Sequence, residues 1–553
     1  MPSLIKKTSK YSTYYVIAES KRVDGKPRIV KQWYLGTIEK LIEMAEGGAR
    51  EEVRQIECVD EGGVAALSKI ADDIGIKSIV DSICGKRKQG MSVGDYVLIA
   101  TLNRALAATS KSKIKEWVES TALHLYLPLD AKKLESQNFW DHFDKLDNEQ
   151  VEKISDAIAR KVAELEKIDL DCLVYDTTNY FNYWDVTTPS DLAKMTKSKA
   201  GKDHLRHIGL ATAVDRHWGI PLFYRLYPAN EHDSKVFNRL INAIFHQINQ
   251  TTSDKRGITF VFDKGNNSEE MIEKLDESRH HFIGTRSPYH HKDLCRTNVD
   301  KFAEVMLDEA ESVLALETRL EIYGRQRRVI VTHNESTYRR QLHRMERHID
   351  LAKAELSFFK RKAKDADGRS TIESIERQAD DILQHHHVPG LLKIDVEETD
   401  KGFKVSARKD FPAIEDAKTR LGKQVIFTNR ETLTTAEVIT AYRDRAVVEE
   451  VFRITKSDRW VKMDPAFHWT DSKIRVHALT CMLALLIVRV AHKRARQKGF
   501  THSAERMLEL LSGIRSAIMF YPKSSKPRRM LCSISDEQRE LLTKLGCKIQ
   551  DSR

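Results

Sequence analysis

The sequence predicts an α/β protein built around a mixed sheet, with a β-rich segment before the sheet and helical regions on both sides of it in the chain. Between about residues 169 and 286, short apolar runs alternate with amphipathic helix patterns, which is typical of a sheet with helices packed against it. Hydrophobic residues make up 41% of the chain and charged residues 31%, as in globular proteins rather than disordered ones. A chain of 553 residues exceeds what one core usually organises, so we expect several structural units.

The first segment, residues 1–58, is predicted to be rich in strands. Residues 11–19 and 28–34 alternate between apolar and polar side chains, as strands with one covered face do. Asp24 and Gly25 lie between them, and an Asp-Gly pair is a strong signal for a β-hairpin. We therefore predict a hairpin near the N-terminus.

Residues 59–166 are predicted to form a helical module. Apolar residues recur at helical spacing over 93–107, and 148–165 is amphipathic. No definite helix-turn-helix pattern occurs in this stretch. Its role as a DNA-binding module is one interpretation among several.

Residues 167–286 contain the first part of the predicted core domain. The predicted strands are 170–176, 208–214, 220–227, 258–263 and 281–285. Amphipathic helices are predicted at 234–249 and 268–279, before and after the fourth strand. This order, βββ-α-β-α-β, predicts a ribonuclease H-like mixed sheet, in which the first and fourth strands are neighbours.

Residues 287–433 interrupt that sheet. The predicted elements here are a hairpin around Gly324, helices at 336–365 and 371–383, and strands at 391–396, 403–407 and 424–428. A connection of roughly 150 residues is too long for a loop, so we predict an inserted α+β subdomain.

Helices are predicted again after the insertion. Thr434 and Glu437 have the spacing of a capping box, and a helix is predicted from there to about residue 456. A second helix at 473–496 completes the second part of the core, residues 434–496. Residues 497–553 form a basic C-terminal region.

Positive charge is concentrated at the two ends of the chain. The sequence holds 92 Lys and Arg against 81 Asp and Glu, a net +11. Residues 1–36 carry a net +6 and residues 489–529 a net +9, so the remainder carries −4. Basic ends indicate a polyanionic partner such as nucleic acid, although charge that serves solubility gives the same composition.

The cysteines and apolar runs indicate the compartment. Seven cysteines are scattered without a Cys-x-x-Cys pair or a zinc-type spacing with histidine, which is typical of buried thiols in a reducing compartment. The N-terminus lacks the apolar run of a signal peptide. The longest apolar stretch, 478–488, is about half a membrane span, so we interpret it as a core helix. We expect a cytoplasmic protein without a membrane partner.

Two aspartates occupy the predicted ends of buried strands. Asp176 ends the first strand and Asp263 ends the fourth, so neighbouring strands would bring these carboxylates together. Two adjacent anions repel each other, and divalent cations relieve that repulsion. The alternative is that each aspartate only terminates its strand or begins a turn.

A third acid lies on the helix after the insertion. At about 100° per residue, the side chains of Tyr442, Arg445, Glu449 and Lys456 fall within roughly 60° of one another. Glu450 fits that face less well. A solvated stripe of charges is the alternative, but valines on the neighbouring faces anchor this helix against a core.

This pattern resembles a known family. Tyr-x2-Arg-x3-Glu-x6-Lys is the signature of one large branch of bacterial insertion-sequence transposases of the DDE class, and it matches at the four residues just named without a gap. The resemblance extends to the residues around Asp176 and Asp263, to 209–230 and to 468–478, and it covers about 165–490.

The resemblance implies a catalytic and metal-binding site made of Asp176, Asp263 and Glu449, which would hold two Mg²⁺ ions with Mn²⁺ as a substitute. Two metals about 4 Å apart can activate the attacking oxygen and stabilise the leaving one in a displacement at phosphorus. Tyr442, Arg445 and Lys456 would then bind DNA phosphates near the transposon end.

The implied partners are double-stranded DNA, as terminal inverted repeats and as target, and a second copy of the chain in a paired-end complex. Such an enzyme cuts the element's ends and joins the 3′-hydroxyls to target DNA. Two alternatives remain: a ribonuclease H-like nuclease that cleaves without joining, and a non-catalytic DNA-binding protein derived from a transposase.

Overall fold

The computed structural model describes residues 2–9, 12–23, 26–45, 53–85, 90–183, 188–197, 201–251, 257–364, 371–399, 402–463, 470–521 and 527–549. The strands are β1 (Pro2–Thr8), β2 (Thr13–Val23), β3 (Lys26–Gly36), β4 (Gln55–Asp60), β5 (Cys172–Asn182), β6 (Lys194–Met195), β7 (Arg206–Asp215), β8 (Pro221–Pro228), β9 (Thr259–Val261), β10 (His281–Arg286), β11 (Ala303–Met306), β12 (Ser312–Ile322), β13 (Arg325–His333), β14 (Leu392–Thr399), β15 (Gly402–Lys409), β16 (Lys423–Thr428), β17 (Arg515–Phe520) and β18 (Arg528–Leu531). The α-helices are α1 (Ile38–Ala45), α2 (Gly62–Ile74), α3 (Ile76–Cys84), α4 (Val93–Leu106), α5 (Ile114–Glu119), α6 (Ser136–Phe143), α7 (Asn148–Leu165), α8 (Asp233–Thr251), α9 (Glu269–Glu277), α10 (Lys292–Cys295), α11 (Glu335–Lys364), α12 (Ile372–His385), α13 (Phe411–Lys418), α14 (Thr435–Arg443), α15 (Ala446–Thr455), α16 (Asp471–Gln497), α17 (Ala504–Ser512) and α18 (Asp536–Leu545). The protein is therefore a mixed α/β protein, as predicted.

The chain forms two compact units. The first comprises Met1–Ala66, Val118–Pro128 and Met507–Arg553. The second comprises Leu67–Trp117 and Leu129–Arg506 and contains the large sheet.

The second unit is organised around a ten-stranded mixed sheet. Its strand order is β11-β12-β13-β16-β10-β9-β5-β7-β6, and β8 also pairs with β7. The five strands predicted between 170 and 285 are β5, β7, β8, β9 and β10, and they lie side by side in the order β8-β7-β5-β9-β10. The β5–β9 and β9–β10 pairs are parallel. The first and fourth predicted strands are thus neighbours, as expected.

Helices cover this sheet because its strands are apolar on both faces. All three residues of β9 are buried, as are the first four of β5. On one side the ring of Phe237 in α8 stacks on Tyr175 in β5, with the ring centroids 3.8 Å apart. Both faces of these central strands are covered, which explains why their buried residues form uninterrupted apolar runs instead of an alternating pattern.

The long helix α16 is a core element of the same unit. It packs against α4, α7, α15 and β8, and nearly all its residues from Ile474 to Val490 are buried. By length and composition it is the one helix among the described residues that could cross a membrane, yet 94% of its most apolar window is buried inside the protein. The burial agrees with the interpretation of 478–488 as a core helix.

The segment 287–433 contributes to two places. Its strands β11, β12, β13 and β16 extend the large sheet beyond β10. Its helices α11 and α12 pack with the hairpin β14–β15 around a small separate core that includes Ile349, Leu356, Ala379 and Leu392. The predicted insertion is therefore partly continuous with the sheet that it interrupts in sequence.

The predicted helix from Thr434 to about residue 456 is broken in the middle. The capping box forms as expected, with Thr434 and Glu437 bonding each other's backbone. At Arg445 the chain tightens to i→i+3 bonds: its N–H donates to the carbonyl of Tyr442 at 3.2 Å. Two shorter helices, α14 and α15, replace the single predicted helix, because these bonds follow the tighter 3₁₀ pattern.

The first unit contains two small antiparallel sheets, β1-β2-β3 and β18-β17-β4. The predicted N-terminal hairpin is β2–β3, and its turn at Asp24 and Gly25 lies outside the described residues. Near the second sheet, the fully buried Glu61 accepts hydrogen bonds from the Tyr126 hydroxyl at 2.5 Å and from the Arg529 guanidinium at 2.7 Å. A buried charge needs such partners, since an unpaired one is costly.

Candidate active site

Asp176 lies in β5, and Asp263 lies two residues beyond the end of the neighbouring parallel strand β9. The register sets Val174 of β5 opposite Val261 of β9. Asp176 is two residues beyond Val174. Asp263 is two residues beyond Val261, so matching positions bring both acids to the same end of the strand pair. β9 ends at Val261, whereas β5 continues to Asn182, so the sheet opens beside the two acids.

The position of Asp176 differs in one respect from the prediction. It lies within β5 and pairs across the sheet with Thr212 of β7, instead of ending a strand at residue 176. The strand β5 continues beyond Asp176 because β7 pairs with it as far as Asn182. The opening beside Asp176 comes from the end of β9, not from the end of β5.

Three donors orient the Asp263 carboxylate. Its Oδ1 accepts hydrogen bonds from the Lys264 backbone N–H at 2.8 Å and from the Thr285 hydroxyl at 3.2 Å. The Tyr442 hydroxyl donates to the same oxygen at 3.3 Å and lies 3.2 Å from Thr285 Oγ1. A strand residue and a residue of α14 therefore fix this acid jointly.

Asp176 is half-buried, and its ionisation is disfavoured. Burial is the largest cause that raises the pKa of this carboxyl to about 6, and the nearby Asp263 raises it further. The Thr177 N–H, which donates to Oδ1 at 2.8 Å, and the charge of Arg445 lower the pKa but do not offset burial. A nearby cation would stabilise the ionised form of this carboxyl.

The Arg445 guanidinium lies among the acids. Its Nη1 is 3.7 Å from Asp176 Oδ2, and its Nη2 donates to Glu449 Oε1 at 3.3 Å. The guanidinium carbon is 5.6 Å from the centre of the Tyr442 ring. Burial lowers the pKa of Arg445, but the charges of Tyr442, Asp263, Asp176 and Glu449 outweigh it, so the pKa is raised. The Arg445 side chain thus lies next to Asp176 and Glu449 and interacts electrostatically with Asp263 as well.

Glu449 and Glu450 face different surroundings. The Glu449 side chain is 65% exposed and its carboxylate contacts Arg445. The Glu450 carboxylate is instead 2.9 Å from the guanidinium of Arg489, a buried residue of α16. Glu449 rather than Glu450 is therefore the acid of α15 that belongs to this site.

Lys456 is the last residue of the signature. Its Nζ donates to the Thr178 hydroxyl of β5 at 2.7 Å and lies 5.3 Å from the centre of the Tyr180 ring. Thr178 is two residues after Asp176 on the same strand. The ammonium group is therefore anchored along the strand that carries the first acid.

The donor set suits a hard divalent cation, since carboxylate oxygens are the ligands that Mg²⁺ and Mn²⁺ prefer. The raised pKa of Asp176 fits as well, because a bound cation would remove the repulsion from Asp263. Within the described residues, however, no group of three Asp, Glu, His or Cys side chains is assembled closely enough to hold an ion. Of the predicted residues, Arg445 lies next to Asp176 and Glu449, and Tyr442 donates to Asp263. Lys456 contacts Thr178 on the strand that carries Asp176.

Two residues of the site were not predicted. Thr285 ends the fifth predicted strand, and a hydroxyl residue at that point was its only signal in the sequence. Asn266 is buried and its side chain lowers the pKa of Asp176 by hydrogen bonding, but it lies in a turn that the sequence marks only by Gly265.

The sequence matches the model of one protein family. The profile described as "Transposase DDE domain" matches residues 184–487, more than half of the chain, so it includes Asp263 and Glu449 and begins after Asp176. No curated protein matches the sequence. Among solved structures, the chain is similar to a piggyBac transposase synaptic complex with hairpin DNA, at 7% identity over 83% of this chain and 82% of that chain, with a TM-score of 0.37. It is also similar to a Mos1 transposase paired-end complex with left transposon end, at 12% identity over 35% of this chain and 58% of that chain, with a TM-score of 0.14. The family match shows that the chain belongs to the transposases with a DDE domain.

Proposed function

We propose that this transposase cuts the ends of a bacterial insertion sequence and joins the resulting 3′-hydroxyls to target DNA. The observation that carries the proposal is Arg445, whose guanidinium contacts Asp176 and Glu449 and is influenced by Asp263. These acids come from β5, from the turn after β9 and from α15, which are far apart in the sequence.

The fold supports the finer assignment to ribonuclease H-like enzymes. The spatial order β8-β7-β5-β9-β10, with β5 and β9 parallel, is the arrangement expected of such a sheet. The gap-free Tyr-x2-Arg-x3-Glu-x6-Lys pattern supports the assignment to the insertion-sequence branch.

Asp176, Asp263 and Glu449 are the residues that would hold two Mg²⁺ ions, or Mn²⁺ in their place. Bound divalent cations supply charge stabilisation for a displacement at phosphorus and lower the pKa of the attacking hydroxyl. The chain's own residues prepare for this. Tyr442 and Thr285 orient Asp263, and Thr177 orients Asp176 through its backbone N–H.

The cationic residues of the signature are proposed to bind DNA. Arg445 can form bidentate bonds with a phosphate, and Lys456 can pair with one as a point charge. In the DNA-free protein Arg445 instead pairs with Asp176 and Glu449. A phosphate that draws Arg445 away would leave the three carboxylates to a cation, so DNA binding and metal binding would support each other. Tyr442, whose hydroxyl bonds Asp263 in this structure, is proposed to contact a phosphate near the transposon end together with Arg445.

The partners follow from the reaction. Both ends of an element must be processed together, so we propose a homodimer in a paired-end complex with terminal inverted repeats and then with target DNA. The seven cysteines, all among the described residues, form no disulfide, which supports the proposal of a reducing, cytoplasmic location.

The test is a supercoiled plasmid that carries the DNA flanking the gene on both sides, incubated with the full-length protein and Mg²⁺. Joined products are expected. Nicked or linear DNA without joining would indicate a nuclease, and a mobility shift without cleavage would indicate a DNA-binding protein.

A matched pair of variants tests the site itself. Glu449→Gln should abolish cleavage and leave plasmid binding intact, because it removes one carboxylate charge and keeps the shape. Glu450→Gln, its neighbour on the same helix, should retain cleavage. Equal loss of cleavage in both variants would show that the wrong acid has been assigned.

A further inference from the structure

The two faces of the N-terminal sheet β1-β2-β3 differ at their centres. The covered face has a buried centre, although Tyr34 and Ile29 on the same face are 66% and 49% exposed, and the open face has no fully buried residue at its centre. Val16 and Ala18 lie on the covered face and are fully buried. The register sets Ile17 between Leu4 of β1 and Trp33 of β3, so these three side chains share the opposite face. Leu4 is 61% exposed and Trp33 is 40% exposed. Large apolar groups therefore lie uncovered at the centre of this open face.

Cations surround that apolar centre. The register places five basic residues on the open face, against one acid, Glu19: Lys6, Lys21, Lys26, Arg28 and Lys31. Lys21 lies directly opposite Arg28, although like charges that face each other across strands are unfavourable. None of the five forms an ion pair with a residue that the structure describes. The positive charge of this face is unneutralised within the described chain.

The cations and the aromatic ring are adjacent. The Lys31 Nζ lies 4.8 Å from the centre of the Trp33 ring. Tyr15, opposite Lys6, adds a second aromatic residue to the same face. Exposed aromatic groups among unpaired cations combine a surface for bases with a surface for phosphates.

We propose that the open face of β1-β2-β3 binds duplex DNA, with the strands facing the major groove and the cations on the phosphates at its edges. This inference rests on the proposed function, because it assumes that DNA is the substrate. Three strands spaced about 4.8 Å apart span roughly 10 Å, which suits a major groove of about 12 Å. Sheets are known to read DNA in this way.

The charge of the face selects nucleic acid over a protein partner. Lysines are depleted in protein–protein interfaces, and a second copy of this chain would present the same positive face. Repulsion between two such faces would oppose association through them. A polyanion is the partner that neutralises five unpaired cations.

The test compares the two faces of the same sheet in the full-length protein. The double variant Arg28→Gln/Lys31→Gln removes two positive charges from the open face. The control, Arg22→Gln/Lys7→Gln, also removes one Arg and one Lys charge, but from the covered face. The probe is a fluorescently labelled duplex of three helical turns, with the corresponding single strand as a second probe. Thermal unfolding of each variant shows whether the sheet remains folded.

The open-face variant should weaken duplex binding at about 100 mM salt by about tenfold or more and reduce the salt slope by about 2, since each phosphate contact contributes about 0.9. The covered-face variant should bind within about twofold of the wild type under the same conditions. Trp33→Ala should weaken binding without changing the slope, whereas Tyr34→Ala, its neighbour on the other face, should not weaken it.

Equal effects of the two double variants would overturn the inference, and so would a loss confined to the single-stranded probe. The plasmid assay separates this failure from a failure of the proposed function. If the wild type cleaves and joins plasmid DNA but the open-face variant binds the duplex normally, only the assignment of this face is wrong. If the wild type neither binds nor cleaves DNA, the proposed function itself fails.

Discussion

Asp176→Asn should make the metal-free protein more stable at neutral pH while it abolishes catalysis. The carboxyl is half-buried, and partial loss of its solvent is the main cause that raises its pKa to about 6 from the usual 3.8. An acid whose pKa rises on folding is more costly to ionise in the folded state. An asparagine of the same shape removes that cost and keeps an oxygen for the Thr177 N–H.

The magnitude follows from the pKa change. At 1.36 kcal/mol for each pKa unit, a rise from 3.8 to about 6 costs about 3 kcal/mol once the group is ionised in both states. The size of this cost depends on pH, and its sign does not change. Below about pH 3.8 the group is protonated in both states and costs nothing, and the cost grows until the pH passes 6. At pH 5 about half of it remains.

The assay is urea unfolding of the wild type and of Asp176→Asn in EDTA, at about pH 7.5 and about pH 5. The variant should gain up to about 3 kcal/mol at the higher pH and about half as much at the lower pH. Asp72→Asn, an exposed position on α2, is the control and should change little at either pH. An Asp176→Asn variant that is no more stable than the wild type at pH 7.5, or whose gain does not shrink at pH 5, would refute the reasoning.

Three further predictions concern other parts of the second unit. Asp276→Asn should destabilise the protein by about 3 to 5 kcal/mol in urea unfolding. The reason is that Arg327 and Asp276 form a buried ion pair with N–O distances of 3.0 and 2.6 Å. As the control, Asp293→Asn breaks an exposed pair and should cost less than about 1 kcal/mol. Lys456→Met should weaken duplex binding and lower the salt slope by about 0.9; an unchanged slope in fluorescence anisotropy would show that this ammonium does not contact a phosphate. Removal of divalent cations with EDTA should stop plasmid cleavage and leave duplex binding in place, and cleavage that persists after dialysis against EDTA would contradict the assignment of the three carboxylates to metal.

The strands and the two aspartates could be predicted because burial leaves a clear record in the sequence. The runs that became β5, β7, β8, β9 and β10 are apolar on both faces, and their order was enough to place Asp176 beside Asp263. The signature spacing put Glu449 on the same face as Arg445, and the two side chains are in contact, whereas Glu450 pairs with Arg489. That Glu449 is the catalytic acid stays a prediction.

Other features left no such record. The break near Arg445 contains neither Gly nor Pro, so helical periodicity runs through it unchanged. The strands of 287–433 have apolar patterns that indicate a covered face but not the sheet that they join. Thr285 reaches Asp263 only through the pairing of β10 with β9, which is a contact of tertiary structure.

The continuity between the inserted segment and the large sheet has a mechanical consequence. β16 hydrogen-bonds to β10 on one side and to β13 on the other, and β10 adjoins β9, just before Asp263. Backbone ladders, rather than a linker, therefore connect the helical pair α11–α12 to the acids. A displacement of α11–α12 relative to Asp263 would therefore require the ladders between β13, β16, β10 and β9 to distort.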